Sequence, residues 1–145
     1  MKKLAIKNWG TSEVIYAGEA ATIKDLLEEA VRKNIDLSCA DLRGEDLCGA
    51  NLKGANLQKA NLRGAKMQGA KMQGADLWFA EMEGADLRGA KMQGAVLRCV
   101  NLKGAKMQGA DLRDVDLTGA YFWRAKMQGA KLQGSNFQNA LWGWY

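Results

Sequence analysis

The residues of this sequence that could support chemistry are its aspartates, its three cysteines and two series of lysines and arginines. Asp111, Asp114 and Asp116 lie close together, and paired carboxylates can act as a general acid and a general base. The 145-residue chain contains no histidine, which excludes a Ser-His-Asp triad and any metal site with histidine ligands. The cysteines lack the spacing of a metal site. The sequence therefore predicts no catalytic residue, no cofactor and no metal ligand.

A five-residue repeat positions these side chains. A large apolar residue, the centre of each unit, recurs at every fifth position from 37 to 142, which is 22 positions. A small residue, usually alanine, stands two residues before each centre, and glycine often stands two residues after it. A period of five fits neither a helix nor an alternating strand, but it fits a short extended segment followed by a turn. The centre and the small residue then point inward, and glycine supplies the positive φ of a type II turn.

The positions that lack this glycine reveal a second period. Five of them, at 39, 59, 79, 99 and 139, differ by 20 residues or a multiple of 20. Four units therefore form one coil, and residues twenty apart stack at about 4.8 Å. The centres, including every methionine after Met1, are interpreted as core residues and not as copper or haem ligands. A side chain larger than alanine at Ala90 is expected to overpack this core.

The units Ala50-Asn51-Leu52, Ala75-Asp76-Leu77 and Ala110-Asp111-Leu112 resemble the pentapeptide repeat family. The resemblance covers residues 35–142 and implies a right-handed quadrilateral β-helix, an all-β solenoid. The spacing gives this solenoid about five and a half coils of 20 residues. Several units carry lysine where the family has aspartate or asparagine, and the segment Ala-Lys-Met-Gln-Gly occurs identically five times. This identity indicates either gene duplication or deliberate repeat engineering.

The two ends of the solenoid differ in sequence. Residues 1–34 are predicted to form an N-terminal cap, with strands around Leu4–Ile6 and Val14–Tyr16 and an amphipathic helix that begins after Thr22 as N-cap. Residues 143–145 form an aromatic tail without such a cover. The aromatic residues of this C-terminal end are interpreted either as a homodimer interface or as a cover for the last coil. They are Tyr121, Trp123, Trp142, Trp144 and Tyr145.

The coil places the remaining reactive side chains apart from one another. Cys39 and Cys99 share a column but lie three coils apart, about 14 Å, which is too far for a disulfide. Cys48 lies on another face. Glu45 replaces an inward alanine and is expected to bond to the cap or to turn outward. The odd number of cysteines predicts reduced thiols and a cytoplasmic location, and the short apolar runs predict no membrane span.

Two adjacent outer faces of the predicted coil are rich in lysine, arginine and glutamine. Their alternating Asp46, Lys66 and Asp86 predict a ladder of opposite charges between coils. The net charge of +5 permits an anionic partner, although an ordinary solvated surface explains the pattern more simply. The candidate anion-facing residues are Lys66, Lys71, Arg88, Lys91, Lys106, Arg113, Lys126 and Lys131.

Exposed aromatic residues are the clearest sign of a contact site. Trp78, Phe79 and Trp123 are predicted to lie on the other two faces, where large aromatics often mark a protein interface. The sequence thus favours a non-enzymatic structural or protein-interaction rod whose partner it does not identify. Some members of the resembled family modulate DNA gyrase with an acidic surface that mimics DNA, and the net positive repeat region argues against this alternative. The third alternative is direct nucleic-acid binding by the lysine-rich faces.

Overall fold

The structure, a computed structural model, describes residues 1–143 and begins with two strands and a helix. Strands β1 (Lys2–Lys7) and β2 (Val14–Ala20) pair antiparallel, and helix α1 (Ile23–Arg32) contacts both. The Thr22 hydroxyl accepts a hydrogen bond from the Asp25 N–H, and the Asp25 carboxylate accepts one from the Thr22 N–H. This capping box confirms the predicted start of the helix. No helix among residues 1–143 is long and apolar enough to cross a membrane.

Parallel bridges between residues twenty apart build the rest of the chain. They run without a change of register from Asp41 and Asn61 to Tyr121 and Leu141. Two backbone hydrogen bonds define a unit: the N–H of Leu62 donates to the Glu81 carbonyl at 2.7 Å, in the next layer, and the N–H of Ala65 donates to the Leu62 carbonyl at 3.1 Å, which closes a turn. The predicted 20-residue register is therefore confirmed.

The interior of these layers is filled by the centres and the small residues. Every centre from Leu37 to Leu117 has no exposed surface, and the alanines two residues before the centres in this part are at most 5% exposed. Ile6 of β1 and Leu26 of α1 belong to the same hydrophobic core. Each fully buried leucine or methionine contributes about 1.5–3 kcal/mol, so the predicted inward positions hold the fold together.

A local hydrogen bond explains the aspartate or asparagine before each centre. The side-chain oxygen of this residue accepts the N–H two positions later, as Asp76 does from Trp78 at 3.1 Å and Asn101 does from Lys103 at 3.1 Å. These Asx turns stabilise the approach to each corner. Lysine has no acceptor, so a unit such as the one around Lys91 lacks this bond. The sequence reasoning did not predict this role.

The corner two residues after each centre has the predicted left-handed backbone. Gly94 has φ +69° and the stacked Asp114 has φ +58°. The other non-glycine corners of the described repeat adopt the same conformation, as Phe79 does with φ +54°. The turn therefore imposes this backbone on whichever residue stands there, although only glycine adopts it without strain.

The two ends of the stacked layers are not equivalent. The N-terminal elements supply acceptors to the first layer: the Asp41 N–H donates to the Lys7 carbonyl at 2.7 Å, and the Asn51 N–H donates to a Glu28 carboxylate oxygen at 2.8 Å. In the last layer, the backbone N–H groups of three centres have no hydrogen-bond acceptor among residues 1–143. These centres are Met127, Leu132 and Phe137. The C-terminal layer thus ends in an open backbone edge.

Candidate interaction surfaces

The lysine-rich surface combines free lysines with paired arginines. Lys66, Lys71, Lys91, Lys106, Lys126 and Lys131 are exposed, and none forms an ion pair within the described part of the chain. Arg88 and Arg113 each bind the aspartate of their own unit, Asp86 and Asp111, at 2.6 Å. Of the eight predicted anion-facing residues, six are therefore available cations and two are engaged within the chain.

The predicted column of alternating charges is present on this surface, but its members form no direct ion pairs in residues 1–143. No ion pair joins Asp46, Lys66 and Asp86 in residues 1–143, although their backbones form bridges. The carboxylate of Asp86 instead accepts hydrogen bonds from Arg88 and from the Gln68 amide, at 2.8 Å. The Arg88 guanidinium holds the pKa of Asp86 below its usual value. Asp86 thus binds Arg88 of its own unit and Gln68 of the preceding layer, and forms no ion pair with the lysines stacked above and below it.

Trp78 and Phe79 form an exposed aromatic pair on another side of the layers. Their rings meet edge to face with 4.6 Å between the ring centres. They are 36% and 48% exposed. The Lys59 ammonium lies 5.3 Å from the centre of the Trp78 ring, within the range of a cation–π contact. This pair occupies the surface position that the sequence predicted.

A second aromatic cluster closes much of the C-terminal layer. The ring of Trp142 stacks on Phe122 with 4.6 Å between centres and also contacts Phe137. Trp142 remains 41% exposed, and the neighbouring Leu141 is 59% exposed. The aromatic residues therefore cover the last layer and still present apolar surface, while the homodimer interface stays a prediction.

The other predicted aromatic residues at this end differ in exposure. Tyr121 is exposed. Trp123 was expected to be exposed and is instead half-buried, because Lys103 and Arg124 lie over its ring and Gly143 lies beside it. Trp144 and Tyr145 lie outside the described residues.

The residues that might have supported catalysis do not converge. Asp111 binds Arg113, and Asp116 accepts the Thr118 hydroxyl at 2.6 Å. The three cysteines are free thiols, and the described chain contains no group of three metal-binding side chains of the histidine, cysteine or carboxylate type. Asp111 and Asp116 are thus engaged within their own units, whereas Asp114 is exposed.

Glu45 lies in an open cleft of about 510 Å³ between α1 and the first layer. Thr22, Lys24, Asp46 and Cys48 also line this cleft. Burial, and secondarily the Asp41 charge, raise the pKa of Glu45. Its carboxylate accepts no hydrogen bond from residues 1–143, so Glu45 does not bond to the cap as the sequence had suggested. It is half-buried in place of the inward alanine.

The comparisons with known proteins agree on one architecture. A family model described as pentapeptide repeats matches residues 35–74, 70–109 and 106–141. The solved structure of the pentapeptide repeat protein Rfr23 from the cyanobacterium Cyanothece 51142 is 30% identical, with a TM-score of 0.62. That match covers 65% of this chain and 65% of Rfr23, so the chain spans slightly less than two thirds of that relative.

Two further structures cover more of the chain. The pentapeptide repeat protein AT2G44920 from the thylakoid lumen of Arabidopsis thaliana is 34% identical over 78% of this chain and 68% of its own, with a TM-score of 0.55. The pentapeptide repeat protein alr5209 from Nostoc Pcc 7120 is 33% identical over 77% of this chain and 96% of its own, with a TM-score of 0.57. A search of curated proteins finds no significant match.

Proposed function

The chain belongs to the pentapeptide repeat family, and we propose that it is a non-enzymatic rod whose outer faces bind a protein partner. The observation that carries this proposal is the filled interior, where every centre from Leu37 to Leu117 is fully buried. A rod whose interior positions are filled in this way acts through its surface. The rod is a right-handed, four-sided solenoid of about five and a half coils, with residues 1–34 as its cap.

The proposal that the protein is not an enzyme rests on aspartates that are already paired with arginines of the same chain. An active site needs groups that change protonation or attack a substrate, held together in a concave site. Asp86 and Asp111 are held ionised by their own arginines, which lower the pKa of both carboxyls. Glu45 has a raised pKa, but its carboxylate forms no hydrogen bond with residues 1–143, including Asp46 and Cys48 in the same cleft. A cytoplasmic location is part of the same proposal, because an odd number of cysteines without metal-site spacing is typical of reduced thiols.

The rod forms a homodimer through its C-terminal end. Leu141 and Trp142 present apolar surface there, and the last layer has N–H groups without acceptors. The opposite end is covered by β1, β2 and α1. Two copies that meet through this same apolar surface form a symmetric dimer.

Two alternatives concern nucleic acid and its enzymes. Modulation of DNA gyrase by mimicry of DNA requires an acidic surface, whereas six exposed lysines here form no ion pair with residues 1–143. The same six lysines support direct binding of a polyanion as the second candidate function. They are distributed along two faces at the spacing that the fold imposes, which by itself gives no sequence-specific recognition.

A gyrase supercoiling assay distinguishes the alternatives from the proposal. Purified protein is titrated into the reaction, its mass is measured by light scattering in the same sample, and its affinity for duplex DNA is measured at several salt concentrations. We expect a dimer that leaves supercoiling unchanged and binds DNA only weakly at low salt. Inhibition of supercoiling, or tight DNA binding that falls steeply with salt, would contradict the proposal and favour one alternative.

A further inference from the structure

One edge of the rod keeps side chains where the fold favours glycine. Cys39, Lys59, Phe79 and Cys99 stack in four successive layers, with φ between +54° and +60°. From position 44 to position 109, the corners of the other three edges are all glycine. A residue with a Cβ is strained in this conformation. Strained corners of this kind occur in four successive layers of this edge. Their recurrence indicates that the side chains at these corners have a role that offsets the strain.

The N-terminal segment joins the same edge through Trp9. The Trp9 backbone N–H donates to the Cys39 carbonyl at 3.0 Å, and its indole N–H donates to the Lys59 carbonyl at 2.7 Å. The Lys59 N–H donates in turn to the Trp78 carbonyl at 2.7 Å. Lys59 thus links Trp9 to the Trp78–Phe79 pair. We call Trp9, Lys59, Trp78, Phe79 and Arg98 together the aromatic edge.

The aromatic edge is both exposed and rigid. Trp9, Trp78 and Phe79 are between 36% and 48% exposed. Trp9 is anchored by its two hydrogen bonds, and Trp78 and Phe79 pack against each other in the middle of a continuous set of layers. Exposed aromatic side chains that are already ordered lose little conformational entropy when a partner binds them. Such residues dominate the binding energy of protein interfaces.

The charges of the aromatic edge define the partner. Lys59 forms no ion pair with residues 1–143, and Arg98 lies 3.8 Å from Asp116 and is more than half exposed. The nearby carboxylate of Asp76 is already engaged by the Gln58 amide and the Trp78 N–H. Lys59 is therefore an unpaired cation beside the aromatic rings, Arg98 keeps an exposed guanidinium in its long contact with Asp116, and the Asp76 carboxylate is engaged. This combination is complementary to a segment that carries both acidic and apolar side chains.

The backbone of the edge offers hydrogen-bond acceptors as well. Trp9 uses the carbonyls of Cys39 and Lys59. The carbonyls of the next two corner residues on this edge, Phe79 and Cys99, accept no hydrogen bond from residues 1–143. A partner can donate to them as Trp9 donates to the preceding pair. Trp9 shows how a tryptophan binds two stacked corner carbonyls of this edge.

We propose that the aromatic edge binds an acidic peptide segment of a partner protein. An apolar side chain of that segment packs on Trp78 and Phe79, and its carboxylates pair with Lys59 and Arg98. This inference rests on the proposed function of a protein-binding rod and names the face and the chemistry of the partner.

Selection from a displayed library of random peptides against the full chain tests this inference. We expect enriched peptides that are acidic and contain aromatic or large aliphatic residues. Their affinity is then measured for the Phe79→Gly variant and for the matched variant Asp114→Gly, which makes the same kind of corner change on another edge. Phe79→Gly should weaken binding about tenfold or more, while Asp114→Gly should not. Arg98→Gln should weaken binding and reduce its dependence on salt.

The Phe79→Gly variant separates binding from stability. Glycine suits the positive φ at this corner, so we expect the melting temperature of the variant to be unchanged or higher. A loss of binding then cannot come from unfolding. Enriched peptides that bind Phe79→Gly as well as the unaltered chain would overturn the inference and leave the protein-binding rod standing. Enrichment of basic or neutral peptides, or no enrichment at all, would also overturn it.

Discussion

Replacing Ala90 by leucine is expected to lower the free energy of unfolding by about 1–3 kcal/mol. Ala90 is fully buried and stacks between Ala70 and Ala110, which are also fully buried. Its carbonyl accepts the Asp111 N–H of the next layer at 2.9 Å. An added isobutyl group has no space in a close-packed interior, so it forces the layers apart and strains this hydrogen bond. Urea denaturation followed by circular dichroism measures the change.

Lys91→Leu is the matched control for Ala90→Leu. It adds the same leucine one residue along the chain, at an exposed position. A surface substitution of this kind changes stability by about 0.5 kcal/mol or less. Equal unfolding curves for Ala90→Leu and the unaltered protein would mean that position 90 does not point into the rod.

Gly94→Val is expected to lower the free energy of unfolding by about 1–2 kcal/mol. Gly94 has φ +69°, and a Cβ placed there meets no atom within 4 Å. The expected loss therefore comes from backbone strain and not from a clash, because a β-branched residue strongly disfavours this region. Urea denaturation of Gly94→Val, compared with Lys71→Val at an exposed strand position, measures it.

The reverse substitution on the same edge completes this test. Asp114 stacks on Gly94 with φ +58°, and Asp114→Gly should raise the free energy of unfolding by up to about 1 kcal/mol. A neutral Gly94→Val together with a destabilising Asp114→Gly would contradict the left-handed corner. The change in the free energy of unfolding also indicates how much the similar positive φ of Phe79 costs.

Much of the architecture follows from the spacing of a few residue types. The centre, the alanine and the corner glycine predict the inward positions, the turn and the 20-residue register, because each depends only on local geometry. The N-cap at Thr22 is equally local. The role of the aspartate or asparagine before the centre was missed, although an Asx turn to the N–H two residues later is a known property of these side chains. The column of alternating charges was predicted from the same register, but its lack of direct ion pairs was not, because Asp86 pairs with Arg88 of its own unit.

The placement of the N-terminal segment could not be predicted from the repeat. Trp9 lies outside the repeat, and its contacts with the Cys39 and Lys59 carbonyls join residues up to fifty positions apart. Nothing in a five-residue period specifies where a preceding segment lies on the rod. The available signal was an isolated tryptophan just before the Gly10-Thr11-Ser12 turn, together with a run of non-glycine corners on one edge. Only the structure brings these two features together.

Site-specific photo-cross-linking tests the central claim most directly, namely that an outer face of the rod binds a protein. A photoreactive amino acid is placed at one exposed position for each side of the rod, at Cys99, Arg63, Gln128 or Gln133, and each variant is irradiated in cells of the source organism. We expect a discrete protein adduct from position 99, which stacks beside Phe79, and little from positions 128 and 133 among the lysines. Nucleic-acid adducts from positions 128 and 133, without a protein adduct from any position, would contradict the account.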